Sequence, residues 1–119
     1  GGPLVQHGVV DMFEAHHQGK NSVEKIVEKM CHNPAKIFQI EKRGFIREGY
    51  YADIAIVNAY LPWNVKKENI IAKCGWSPFE GYNFKSRVTH TFVNGKLVYH
   101  NGKVKDTKVG QRLLFERNL

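Results

Sequence analysis

The chain is poor in most of the residue patterns that announce a function. It has two cysteines, Cys31 and Cys74, in 119 residues. They are too few and too far apart for the disulfide framework of a small secreted domain, so a reducing compartment is expected. No apolar run approaches the roughly 18–20 residues of a membrane-crossing helix, and no basic-then-apolar leader opens the chain. A soluble, cytoplasmic protein with no membrane partner is the expectation. Metal signatures are missing as well. Six histidines are present, but there is no His-x-His, no Cys-x-x-Cys and no His-Glu-x-x-His. His16 and His17 are adjacent, which on a helix turns them about 100° apart and keeps both from gripping one ion. Cys31-His32 has the same defect. Gly-x-Ser-x-Gly is absent, Ser77 between Trp76 and Pro78 reads as a turn residue, and the glycines at 44, 49, 75 and 81 are isolated rather than clustered into a phosphate-cradling loop;. Negative charge is also scarce: 18 Lys+Arg against 11 Asp+Glu leave a formal net charge of +7.

What is present is one domain's worth of globular sequence, 42% hydrophobic and 24% charged;. Val5, Val9, Met12 and Phe13 form the apolar stripe of an amphipathic helix over 4–18, with Pro3 near its start and Gly19 as its stop;. Val23, Ile26, Val27 and Met30 mark a second helix over 22–32, capped by Asn21 or Ser22 and ended by Pro34;. Asn33-Pro34 can then open a short third helix through Ala35, Ile37 and Phe38;. From Ile54 to Val57 the period changes to two with apolar residues on both faces, the pattern of a strand buried on both sides;. Val88 to Val93 and Lys96 to Tyr99 flank Asn94-Gly95, the strongest short hairpin signal, and Asn101-Gly102 repeats the device;. Residues 59–86 are rich in Trp, Tyr and Phe, and so aromatic a loop should pack as a lid or plug;.

These strands make a poor sheet by themselves, and their missing partners are expected upstream. The opening Gly1-Gly2-Pro3, in place of methionine, fits either a tag remnant or a piece of something longer, and the strand shortage favours the second;. His7, His16 and His17 are expected on polar helix faces, and His90 and His100 on strands facing water or a partner. The basic residues Lys66, Lys67, Lys103, Lys105, Lys108 and Arg112, interleaved with aromatics, could track a single-stranded nucleic acid, but a solvated surface or a lysine-blocked edge strand explains them as well;.

Two strings go further. Residues 33–58, NPAKIFQIEKRGFIREGYYADIAIVN, carry Asn33, Pro34, Ala35, Ile37, Phe38, Gly44, Gly49, Ala52 and Asp53. In that order they resemble the segment of metal-dependent amidohydrolases that closes the barrel and re-enters a small β-domain. Residues 77–104 resemble the terminal stretch of the cyclic-amidase branch, and CGWSPFEG with GQRLLFER is most similar to the dihydroorotases. The resemblance implies an α/β chain: residues 1–48 as outer helices from the end of a (β/α)₈ barrel, and residues 49–119 as strands and aromatic loop of a composite small β-sandwich. It implies a zinc-dependent hydrolase that interconverts carbamoyl-aspartate and dihydroorotate in pyrimidine synthesis, a metal-activated water attacking the ring amide. The family's metal ligands and general base lie upstream of this segment, so no catalytic residue and no metal ligand is assigned here, and the piece alone is expected to be inactive. Gly1, Gly2 and Pro3 match a loop whose backbone lines the substrate ring, although Leu4 stands where a further glycine is common;. A homodimer is implied too. Allantoinase or another cyclic amidase is the alternative, followed by a basic nucleic-acid-binding module and a purely structural assembly domain.

Overall fold

The computed structural model describes residues 4–105 and 108–116, which fall into two compact units: Gly1–Ser22 with Val57–Val88, and Val23–Ile56 with Thr89–Leu119.

In the first unit a 3₁₀ turn, Val5–His7, leads into α1, Gly8–His17. The helix stops at Gly19, at φ 74°. There Lys20 N–H donates to Ala15 O and Gly19 N–H to His16 O, each at 2.9 Å, the paired closure that a residue without a Cβ makes at little cost. The buried face differs from the expected stripe. His7, Val10, Phe13 and Glu14 point inward, while Val5 is 97% exposed. The face is turned by about one residue because two of its members are polar: Glu14 Oε1 accepts the Lys85 N–H at 2.8 Å, and His7 meets Ser77. A satisfied polar group can enter a core, and apolar periodicity does not register it.

The aromatic segment forms that core rather than covering one. Strands β2, Trp63–Asn64, and β3, Asn83–Phe84, pair antiparallel with Trp63 opposite Phe84. Val10, Val65 and Phe84 are buried together, with Trp63, Ile70, Phe79 and Val88 packed around them. Burying a ring such as Phe84 fully is worth about 1.5–3 kcal/mol.

In the second unit, α2 (Val23–Val27), a π turn (Glu28–His32) and α3 (Asn33–Ile37) follow without a break. Backbone angles are helical at both joins, with φ −62° at Val27 and −63° at Asn33. Pro34 therefore sits inside a continuous helix, correcting the expectation that it ends one and that Asn33 caps another. The wider turn just before it removes the demand for the N–H that proline lacks and makes room for its ring. Gly44, at φ 83°, lies against this helix: a Cβ there would stand 2.5 Å from Ala35 Cβ and 2.6 Å from Cys31 O.

Strands β1 (Ile54–Asn58), β4 (Arg87–Val93), β5 (Lys96–His100) and β6 (Lys103–Val104) form a sheet in the order β1-β4-β5-β6. Both Asn-Gly pairs form the turns expected of them, with φ 49° and 78° at Asn94 and Gly95, and 45° and 88° at Asn101 and Gly102;. Between Thr91 and Phe92 the β4–β5 register slips, so that Phe92 faces Leu97, Thr91 faces Tyr99, and Val98 is the extra residue of a bulge;. β1 is not buried on both faces, for Ile56 is 45% exposed. It ends the sheet, with a neighbour along one side only among the described strands. No helix among the described residues is long and apolar enough to cross a membrane.

Gly44→Ala should therefore cost about 2–4 kcal/mol, combining positive-φ strain with overpacking against backbone. Gly49→Ala, at φ 82° but in open space, should cost about 1–2 kcal/mol. Urea denaturation of the two variants measures the difference.

Candidate functional site

The residues expected to line a substrate, Gly1, Gly2 and Pro3, lie outside the described residues. Leu4 and Val5, the first described after them, are exposed. Chemistry within each unit must be judged from its polar side chains.

The histidines of the first unit are committed to packing. His7 is not a polar-face residue, as expected from its place in the sequence, but 1% exposed. Its ring stacks on Phe84 at 5.9 Å and lies 5.8 Å from Trp63 and 5.7 Å from Phe79. Nδ1 lies 3.4 Å from Ser77 Oγ, which also accepts the Phe79 N–H at 3.1 Å; Ser77 thus has the turn role read from sequence, plus a buried partner. His7 Nε2 has no partner among the described residues, and burial holds the ring below its ordinary pKa of 6.5;. A neutral imidazole enclosed by three aromatic rings is a packing group. His16 Nδ1 bonds Asn21 O at 3.1 Å. His17 Nε2 reaches both Ala59 O at 2.8 Å and Ser86 Oγ at 3.0 Å, and Ser86 donates on to Ala59 O.

In the second unit the string read as a family motif proves to be a junction. Arg43, 9% exposed, forms an ion pair with the Asp53 carboxylate, donates to Asn94 Oδ1 at 3.1 Å, and lays its guanidinium 4.1 Å over the Tyr51 ring. Its Nε and Nη2 have no hydrogen-bond partner among the described residues, and the ring face accounts for part of their environment. Asp53 Oδ1 accepts the Asn94 N–H at 2.8 Å, and Gly95 N–H donates to Ala52 O at 3.0 Å. His32 Nδ1–H donates to Gly44 O at 2.7 Å, its ring stacked 4.2 Å from Phe45. Sequence reading found Gly44, Gly49, Ala52 and Asp53 but missed Arg43, since nothing in a sequence pairs an arginine with an aspartate ten positions away.

The residues present do not fit the zinc that the family resemblance implies. Among the described residues no group of three or more His, Cys, Asp or Glu could hold a metal ion. Burial also pushes the Cys31 thiol pKa up, away from a reactive thiolate;.

Comparison with known proteins gives a consistent picture. A family model described as the amidohydrolase family matches residues 4–98. The dihydroorotase of Pyrococcus furiosus is 34% identical over 112 residues, covering 94% of this chain and 27% of that enzyme. The dihydroorotase of Endomicrobium trichonymphae is 44% identical over 81 residues, 68% of this chain and 19% of the enzyme. Among solved structures, the L-hydantoinase of Arthrobacter aurescens matches with TM-score 0.69 at 29% identity, over 83% of this chain and 21% of that one. The dihydropyrimidinase of Brevibacillus agri matches at TM-score 0.75 and 24% identity, over 81% and 21%, a likeness of fold alone. The chain thus spans between a quarter and a third of the curated relatives it matches over nearly its whole length.

Two measurements check these assignments. Unfolded His7 titrates near about pH 6.5 and the folded ring lower, so the unfolded state binds the proton more readily and stability is lost as pH falls below that value. The urea midpoint should drop between about pH 7 and about pH 5, and His7→Phe should flatten that part of the profile. Asp53→Ala strands the buried Arg43 charge and should cost about 3–5 kcal/mol, whereas the Arg43→Met, Asp53→Ala pair should cost less than the single change.

Proposed function

The chain belongs to the amidohydrolase family, and from that premise we propose that it is the C-terminal portion of a dihydroorotase, the hydrolase that closes carbamoyl-aspartate to dihydroorotate and reopens it. The observation that carries this reading is the alignment of dihydroorotases with 94–98% of the chain at 33–34% identity. Exposed apolar residues on the second unit support it. Val27, Met30, Phe38 and Ile56 fit surfaces that a larger enzyme would cover.

On this reading residues 1–48 are outer helices at the end of the enzyme's (β/α)₈ barrel, and residues 49–119 contribute strands and the aromatic segment to its small β-sandwich. Active sites of such barrels lie at the C-terminal ends of the strands, and the loop at Gly1, Gly2 and Pro3 would present backbone to the substrate ring. Small residues suit that role because nothing stands between main chain and ligand. Zinc, with the groups that hold it and move the proton, is assigned to upstream polypeptide, and no catalytic step to residues 4–116. The remaining residues act by position: the Arg43–Asp53 junction and the His7 cage fix the geometry around which a barrel end can close. A cytoplasmic homodimer completes the proposal.

A second reading, a cyclic amidase acting on hydantoin-like rings, is favoured by the likeness to the Arthrobacter aurescens L-hydantoinase at 29% identity. The intact polypeptide that carries these residues, purified with zinc, should hydrolyse dihydroorotate in preference to allantoin and hydantoin, while the 119-residue chain with zinc should turn over none of them. Preference for allantoin or hydantoin would move the assignment to the second reading, and zinc-dependent turnover by the 119-residue chain would overturn the upstream placement of the chemistry.

A further inference from the structure

We infer that the β4–β5 hairpin carries a two-histidine site, His90 and His100, for a divalent transition metal of the copper, nickel and zinc class. The two residues lie ten apart in sequence and come together only through the bulge. In a regular hairpin closed at Asn94-Gly95, with Val93 facing Lys96, His90 would face Tyr99 and His100 would point to the opposite side of the sheet. The extra residue Val98 shifts the register so that His90 and His100 are directly paired, and their rings stack with centroids 4.4 Å apart. Bulges commonly re-aim one side chain in this way.

Hydrogen bonding leaves a coordinating nitrogen on each ring. Thr89 Oγ1 gives its proton to Ile56 O at 3.3 Å, so at 2.8 Å it accepts from His90 Nδ1–H, and His90 Nε2 keeps its lone pair. An oxygen acceptor on the far nitrogen is the usual support of a metal-binding imidazole, fixing its tautomer and raising its basicity. On His100, Nε2 receives the Asn101 side-chain amide at 3.0 Å. That places its lone pair at Nε2 as well, held by an exposed donor that a metal can displace. Phe92 lies parallel to His90 at 6.4 Å and limits the ring's freedom. Two imidazoles with water completing the shell suit borderline metals rather than calcium or magnesium. Lys103 faces His100 across β5 and β6, and its charge opposes a bound cation without blocking either nitrogen.

Copper(II), the tightest binder of its row, is the probe, added to the 119-residue chain and read by electron paramagnetic resonance and by titration. One equivalent should bind with the hyperfine pattern of two nitrogens. His90→Ala and His100→Ala should each weaken binding about tenfold or more, and Thr89→Val by about tenfold. Lys103→Gln should tighten it about two- to threefold. Deleting Val98 removes the bulge yet leaves Thr91 opposite Tyr99 and His90 opposite His100, so the two-nitrogen signal should survive that deletion, and its loss would count against the paired site. Binding unchanged in both alanine variants, loss of binding on Cys31→Ser instead, or no binding by the parent chain would each overturn the site.

Discussion

One carboxylate organises the second unit. Asp53 stands at the entry to β1, takes the Arg43 guanidinium from the segment after the helix, and accepts the Asn94 N–H from the β4–β5 turn. Asn94 can offer that N–H only because it sits at φ 49°, a conformation that asparagine tolerates better than most residues. Next to it, the Gly95 N–H reaches Ala52 O. Helix exit, strand entry and hairpin tip are therefore set by one ion pair and a few backbone bonds. A charge as buried as Arg43 makes the junction all-or-none, because the guanidinium is tolerated only while its partner is in place.

The first unit reaches the same rigidity by a different route. Its centre is a set of rings around Phe84, with a histidine in the place of a further aromatic. Glu14 and Ser77 are buried beside it, each tied to a backbone N–H, of Lys85 and Phe79. The polar members lock the register of α1 against β3 in a way that apolar packing by itself does not, since each hydrogen bond accepts one alignment only.

Features decided within a few residues were legible in the sequence. Gly19 ends α1 and both Asn-Gly pairs turn the chain, because positive φ at those positions is a local demand with few residues able to meet it;. Features decided by distant partners were not. The inward face of α1 depends on Lys85 and Ser77, some seventy positions away, and the burial of His7 on rings supplied by the aromatic segment. Pro34 reads as a helix stop because the π turn that accommodates it has no compositional mark. The pairing of His90 with His100 depends on one inserted residue, which alternation alone does not reveal. The family string is readable as a string, yet its physical meaning, a junction around Arg43 and a close approach of Gly44 to Ala35, rests on contacts that no local pattern encodes.

The half-bare strand β1 bears on how such a chain behaves in isolation. Ile54, Ala55, Ile56 and Val57 offer hydrocarbon and a line of amides for which no neighbour is described on one side. A concentrated solution of the polypeptide would satisfy that line by recruiting further copies of itself, and a cell would meet the same demand with chaperones. Insolubility on overexpression would then report an orphaned seam rather than a failure of either unit to fold.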